Sequence, residues 1–292
     1  MSSLGRRLAQ HAAFRRRRLT LRSRSWVFGG HDLSRAVWIC SWQRSGSTWL
    51  AELLASPPRT RLVYEPANLP DNCFEGVEAS LTPLPIESMD HIEAVVRGLA
   101  GHVHHWWTDQ FNRTHFPRRL VAKDVRGLGV AGAVAARLPS TPVVLLVRNP
   151  LDVAASVLRL GWFDSELSPR EAYLREVSTW CQLHETALTD PRLKRAVWVS
   201  YEALLEAPKV ELDRVRAVLA QSSPTWLALD VDSLKTEERS QTDFATERGT
   251  SVESAWIEEA RAVLAASPFG TYYDAPRHHV GSLQTLLDSR GQ

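Results

Sequence analysis

Cysteine is scarce: three residues in a chain of 292. Cys40, Cys73 and Cys181 lie far apart and are odd in number, so the sequence holds no disulfide framework and no zinc-ligand spacing. Long apolar runs are missing as well, and nothing approaches the roughly 20 residues that cross a bilayer. A reducing, cytoplasmic location is the simplest expectation. An excess of either charge is also missing. Lys and Arg number 35 against 33 Asp and Glu, a net charge of +2, so composition makes no case for nucleic acid as a partner. Acids are absent before Asp32, whereas Arg6, Arg7, Arg15, Arg16, Arg17, Arg18, Arg22, Arg24 and Arg35 crowd residues 1–35. With no long apolar stretch behind those charges, the segment does not read as a secretory signal. It reads as a solvated basic arm, as an organelle transit peptide, or as a patch that touches a membrane surface or an acidic substrate. There is no internal repeat. Oligomeric state leaves no mark on the sequence.

The chain does contain the material of a large core, with 44% hydrophobic and 23% charged residues. After the basic arm 1–35, residues 36–292 read as one domain. Its leading stretch is Val37–Trp49. The apolar run Val37–Cys40 suits a buried parallel strand. The chain then turns through Gln43, Arg44, Ser45 and Gly46, and from Ser47 it takes on helical spacing up to Leu54, ahead of Pro57 and Pro58. Strand, Gly/Ser turn and helix start together form a cradle for an oxyanion, because free N–H groups and the positive end of the helix dipole face the turn. Gly46 permits close backbone approach, Ser45, Ser47 and Thr48 add hydroxyls, and Arg44 adds a permanent charge. The nucleotide-triphosphatase loop would require Gly at 41 and Lys at 47, where this chain has Ser41 and Ser47.

A second strand, Val143–Val147, ends in Arg148. Open α/β sheets bind ligands at that edge. Asn149 can cap the next helix, with Pro150 in its first position and Asp152 closing a capping-box-like pair. Ser156 follows two turns on, where it and Arg148 could meet one phosphate.

Taken together, these motifs resemble the sulfotransferases that use 3′-phosphoadenosine 5′-phosphosulfate (PAPS). Arg44-Ser45-Gly46-Ser47-Thr48-Trp49 is similar to their 5′-phosphosulfate loop. Arg148-Asn149-Pro150, followed by Asp152, Val153, Ala154 and Ser156, is similar to their 3′-phosphate motif. Tyr201-Glu202-Ala203-Leu204 is similar to the strand end whose Tyr lies near the adenine. The resemblance implies a three-layer α/β sandwich with a mainly parallel sheet and a P-loop-like cradle. It implies PAPS as sulfuryl donor, no metal, and a small-molecule or glycan acceptor. Tyr64-Glu65-Pro66 resembles the carbohydrate branch, which makes Glu65 the candidate general base and points to a carbohydrate or glycolipid hydroxyl. The Lys-x-His segment of the phenol and steroid branch has no match; Lys123, Asp124 and Arg126 stand at the equivalent strand end. Arg248-Gly249 loosely resembles the segment that covers the 3′-phosphate, without its Lys. Two rival readings stay open: a nucleotide-dependent kinase, and a non-catalytic nucleotide-binding scaffold.

Elsewhere the pattern predicts helices over 87–107, 128–138, 154–161, 171–188, 210–219 and 252–266, and strands over 61–65, 120–126 and 195–201. Residues 67–119 form a variable acceptor or lid region. Its His91, His102, His104 and His105, near Trp106 and Trp107, suggest an aromatic lid or plain packing, with a metal site as the weaker alternative. Lys123 and Arg126 read either as ligand-facing groups or as surface charges. The polar segment 235–251 reads as a lid or a disordered loop.

Overall fold

The structure is a computed structural model that describes residues 32–67, 88–105, 107–112, 114, 117–233, 252–274 and 283. The basic arm before Asp32, Cys73, Trp106, the Arg248-Gly249 segment, His278 and His279 lie outside the described residues.

Five short strands form the sheet: β1 (Ala36–Ser41), β2 (Thr60–Tyr64), β3 (Arg119–Asp124), β4 (Val143–Val147) and β5 (Val197–Ser200). Their order is β2-β3-β1-β4-β5, and each neighbouring pair is parallel. The helices are α1 (Ser47–Leu54), α2 (Met89–Leu99), α3 (Ala131–Arg137), α4 (Pro150–Leu160), α5 (Pro169–Thr189), α6 (Tyr201–Glu206), α7 (Pro208–Ser222), α8 (Ser254–Ala265) and α9 (Gly270–Asp274).

The two-residue period of a strand divides the core in two. Val37 and Ile39 of β1, with Val121, Val144, Leu146 and Val199, face Leu50 and Leu54 of α1 and Leu212 and Val215 of α7. Trp38 and Cys40, with Ala122, Leu145 and Val147, face Val95 of α2, Val134 of α3, Val153 and Leu158 of α4, Val177 of α5 and Leu264 of α8. Both sheet faces are thus covered by helices, which is why these strands read as continuous apolar runs. The three-layer α/β sandwich expected from the sequence is the fold observed.

Several boundaries moved. The helix expected over 87–107 ends at Leu99. Gly101 takes a left-handed φ of 77°, its N–H meets the Gly98 carbonyl, and the His102 N–H meets that of Arg97. That double return closes the helix. The expected helix over 171–188 begins two residues earlier, because Ser168 and Glu171 form a capping box around Pro169. The helix over 154–161 begins at Pro150. Its cap was read half correctly. The Asn149 side chain accepts from the Leu151 N–H. The Asn149 N–H, however, goes to Glu202 Oε1 at 2.8 Å and not to Asp152.

One polar group is buried in the β2 edge itself. Arg61 is almost fully enclosed and donates to both carboxylate oxygens of Asp109, at 2.9 and 3.2 Å, and to the carbonyls of Gly101 and Val103. Burial alone would raise the Asp109 carboxyl. The charge of Arg61 and the hydrogen bonds of His104 and Arg61 outweigh it and hold the group below its ordinary value. This pair fastens the 101–109 connection beneath Tyr64. Arg61→Met keeps the bulk but leaves the buried Asp109 with His104 and without the guanidinium, so urea unfolding should show a loss of about 3–5 kcal/mol. Adding Asp109→Asn should restore part of it, which a purely steric role for Arg61 would not give.

Candidate functional site

β1 sits at the centre of the sheet. The chain leaves it towards β2 on one side and later crosses it to reach β4 on the other. A crevice opens at such a reversal, outside the carboxyl ends of the strands. The loops after β1 and β4 line it.

The first loop is anchored from behind. Trp42 Nε1 and Gln43 Nε2 both donate to Glu176 Oε1 on α5, at 2.5 and 3.0 Å. Burial raises the Glu176 carboxyl, although these bonds oppose the shift. Arg44 follows with a left-handed φ of 59°, and Gly46 with φ 88°. A charged residue held in that conformation stores strain that its surroundings must enforce. Gly46 is the N-cap of α1, and its carbonyl accepts from the Leu50 N–H. Ser45 and Ser47 are buried and Thr48 is half-buried within the same turn.

Arg44 Nε donates to Ser156 Oγ at 3.1 Å, and its guanidinium lies 5.4 Å from the Trp162 ring centre. Arg148 Nη1 donates to the Arg44 carbonyl at 2.9 Å, while its guanidinium stacks 4.5 Å from the ring centre of Tyr201. Tyr201 in turn meets Trp49 edge-to-face at 6.1 Å. Arg44, Gly46, Trp49, Arg148, Ser156 and Tyr201, widely spaced in sequence, therefore form one contiguous group. Burial, and then the adjacent charge of Arg148, hold the Arg44 guanidinium below its ordinary value. The Arg148 Nε is buried with no hydrogen-bond partner among the described residues. Two neighbouring cations and an orphaned donor are the environment an anionic ligand would relieve.

Glu65 ends the next strand over. Its backbone is left-handed at φ 44°, its N–H continues the ladder to the Lys123 carbonyl, and its Oε1 accepts from Lys123 Nζ at 2.5 Å. Lys123 also lies 4.0 Å from the ring centre of Tyr64. Lys123 and Arg126 are 1% and 5% exposed, which overturns the surface-charge reading of both. Arg126 stands two residues past β3, whose end comes earlier than the sequence suggested. Tyr64 packs edge-on to Trp107 at 5.3 Å and beside Phe111 at 5.1 Å. No group of three or more metal-ligating side chains occurs among the described residues. His91 is buried on α2, and His104 lies 3.8 Å from Asp109 within the Arg61 network.

Against known proteins, the model of the sulfotransferase family matches residues 36–221. The chain belongs to the sulfotransferase family. That membership sets aside the kinase and scaffold readings. Among solved structures, this sulfotransferase is similar to one from Alicyclobacillus acidocaldarius, at 17% identity over 85% of this chain and 98% of that one, with a TM-score of 0.49. It is also similar to STF1 from Mycobacterium tuberculosis H37Rv, at 14% identity over 84% and 81%, with a TM-score of 0.48. A third is the mouse sulfotransferase SULT7A1 complexed with PAP, at 15% identity over 86% and 90%, with a TM-score of 0.39. A search of curated proteins finds no match.

Sequence reasoning missed the Glu176 anchor of this sulfotransferase, because a contact spanning 134 residues has no local signature. It missed Trp162 for the same reason. Glu202 was within reach: it lies inside the Tyr-Glu motif already singled out, and it ties that motif to Asn149 and to Ser200 Oγ. The tight fit between Gly46 and Tyr201 gives a direct test of the assembled site. A Cβ at 46 would stand 2.5 Å from the Tyr201 ring on a left-handed backbone. Gly46→Ala should cost about 1–3 kcal/mol of stability. In a double-mutant cycle Tyr201→Ala should recover the steric part, leaving only the backbone strain. Additive losses would mean that the loop and Tyr201 do not meet.

Proposed function

We propose that this enzyme transfers a sulfuryl group from PAPS to a hydroxyl of a carbohydrate or glycolipid. The observation that carries the proposal is the meeting of Arg44, Arg148, Ser156 and Tyr201 in one crevice. In this reading the turn Arg44–Thr48, with Trp49 behind it, holds the 5′-phosphosulfate. Arg148 and Ser156 hold the 3′-phosphate, and Tyr201 offers its ring to the adenine. The unpartnered Arg148 Nε and the half-buried Arg44 fit a bisphosphorylated nucleotide on their own chemistry.

The reaction is an in-line displacement. The acceptor oxygen bonds to sulfur while the bond from sulfur to the 5′-phosphate oxygen breaks. Negative charge grows on that departing oxygen, where Arg44 and the loop N–H groups stabilise it. Glu65 accepts the proton of the acceptor hydroxyl, and Lys123, bonded to Glu65, keeps it at the sheet edge. No metal enters this scheme. The aromatic group of Tyr64, Trp107 and Phe111 supports a ring-shaped acceptor, since sugars stack on such faces. The proposal takes residues 36–292 as one catalytic domain, 67–119 as its acceptor region, Arg248-Gly249 as a cover over the 3′-phosphate, and the cytoplasm as its location.

Calorimetry tests the nucleotide assignment. PAP should bind much more tightly than 5′-AMP, because charge-assisted contacts to the extra phosphate are each worth roughly 1.5–3 kcal/mol. Arg148→Ala should erase most of that preference; equal affinities in the wild type would refute the assignment. Kinetics tests the base. Glu65→Gln should bind PAP normally yet turn over at least about 10²-fold slower. A rate within a few-fold of wild type would move the base elsewhere.

A further inference from the structure

Behind the Glu65–Lys123 pair lies a second carboxyl that the proposed reaction does not use. Asp124 ends β3 in register with Cys40 of β1 and is 0% exposed. Alternation along the strand sends its side chain to the sheet face opposite Lys123. Its Oδ2 accepts from the Ala67 N–H at 3.3 Å. Its Oδ1 is buried with no hydrogen-bond partner among the described residues. The chain between Glu65 and Ala67 is thus held to β3 at both ends, by the Glu65 N–H on the Lys123 carbonyl and by the Ala67 N–H on Asp124. Between those two anchors Glu65 is kept in its left-handed conformation, with Pro66 following it.

We infer that Asp124 is a positioning residue: its enclosed side chain, accepting from the Ala67 N–H, fixes the turn from Glu65 to Ala67 and so holds Glu65 at the sheet edge. The inference rests on the reading of Glu65 as general base. The charged and titratable groups around Asp124 are Glu65 from the end of β2, Cys40 from β1, and Lys123 and Arg126 from its own segment. His91 on α2 acts on Arg126 from the adjoining layer. A carboxylate oxygen enclosed without a donor is far costlier than a carboxylic acid in the same place. Burial first, and then the charge of Glu65, push the Asp124 carboxyl up to about 7, against the smaller opposing effects of the Ala67 N–H, Lys123 and Arg126. A second negative charge near Glu65 would repel it, so ionisation of Asp124 loosens the turn that holds Glu65.

Three variants measured across pH test this. Wild-type kcat at saturating PAPS should fall as pH rises through about 7. Asp124→Asn, which keeps the acceptor for the Ala67 N–H and never ionises, should run level through that range. Asp124→Ala, which removes the acceptor, should lower kcat on the order of 10–10²-fold at every pH with PAP affinity unchanged. Unfolding gives a readout independent of turnover. The folded chain keeps the Asp124 proton up to about 7, whereas the unfolded chain loses it near the model-compound value of 3.8. The native state therefore binds more protons in that window, and its stability declines with rising pH there. Asp124→Asn should remove this component of the decline. If Asp124→Asn keeps the wild-type pH dependence of both rate and unfolding, the carboxyl is already ionised and the inference fails. If the unfolding slope flattens but the rate limb stays, Asp124 does not act through Glu65, and the inference fails on that ground. If Glu65→Gln turns over at the wild-type rate, the base assignment fails, and the unfolding data still decide the charge state of Asp124.

Discussion

Two guanidinium groups held side by side govern the centre of this molecule. Arg44 and Arg148 repel each other, and that repulsion, after burial, holds the Arg44 guanidinium below its ordinary value. Neutral groups stand against them: the Ser156 hydroxyl, the Arg44 carbonyl, and the faces of Trp162 and Tyr201. Aromatic faces and carbonyl dipoles attract cations without neutralising them. Contacts of that kind leave positive potential in place at the sheet edge. Around this, the fold supplies stiffness: a fully parallel sheet, buried on both faces, whose central strand delivers one arginine and whose neighbour delivers the other.

Much of this was legible because phosphate-type recognition is local. A strand, a turn with Gly46 and a helix start can be read from adjacent residues, and so can Arg148, Asn149 and Pro150 at the end of β4. The capping of α4 by Asn149 followed directly from side-chain chemistry. The apolar strands were plain because burial on both faces removes polar residues from them. What escaped was the support. Glu176 comes from the middle of a helix whose pattern is only that of an amphipathic surface. Glu202 reaches sideways to a neighbouring loop. Lys123 was visible as a strand-end cation, but its partner was not, because register between β2 and β3 decides whether residues 65 and 123 meet. The 87–107 helix was overextended because Gly101 looks like a tolerated glycine until its left-handed conformation is seen.

The region around β2 follows a different logic from the crevice. There the charges meet opposites: Arg61 meets Asp109, which His104 also approaches, and Lys123 meets Glu65. Burial makes each pair intolerant of losing one member. These pairs give the Tyr64 aromatic group a fixed base on which to stand. The sheet edge thus sets buried, paired charges beside β2 next to two adjacent guanidinium groups beside β1 and β4.

The left-handed backbones at Arg44 and Glu65 have a consequence for engineering and for drift. At both positions glycine would relax the main chain, and at both it would delete a side chain that holds a partner: Ser156 for Arg44 and Lys123 for Glu65. The balance differs between the two: at 65 the buried Lys123 would lose its carboxylate, which outweighs the relaxed backbone, whereas at 44 the lost cation also ends the repulsion with Arg148. A screen for thermal tolerance would therefore accept glycine more readily at 44 than at 65, and a library meant to harden this scaffold would leave residue 65 fixed.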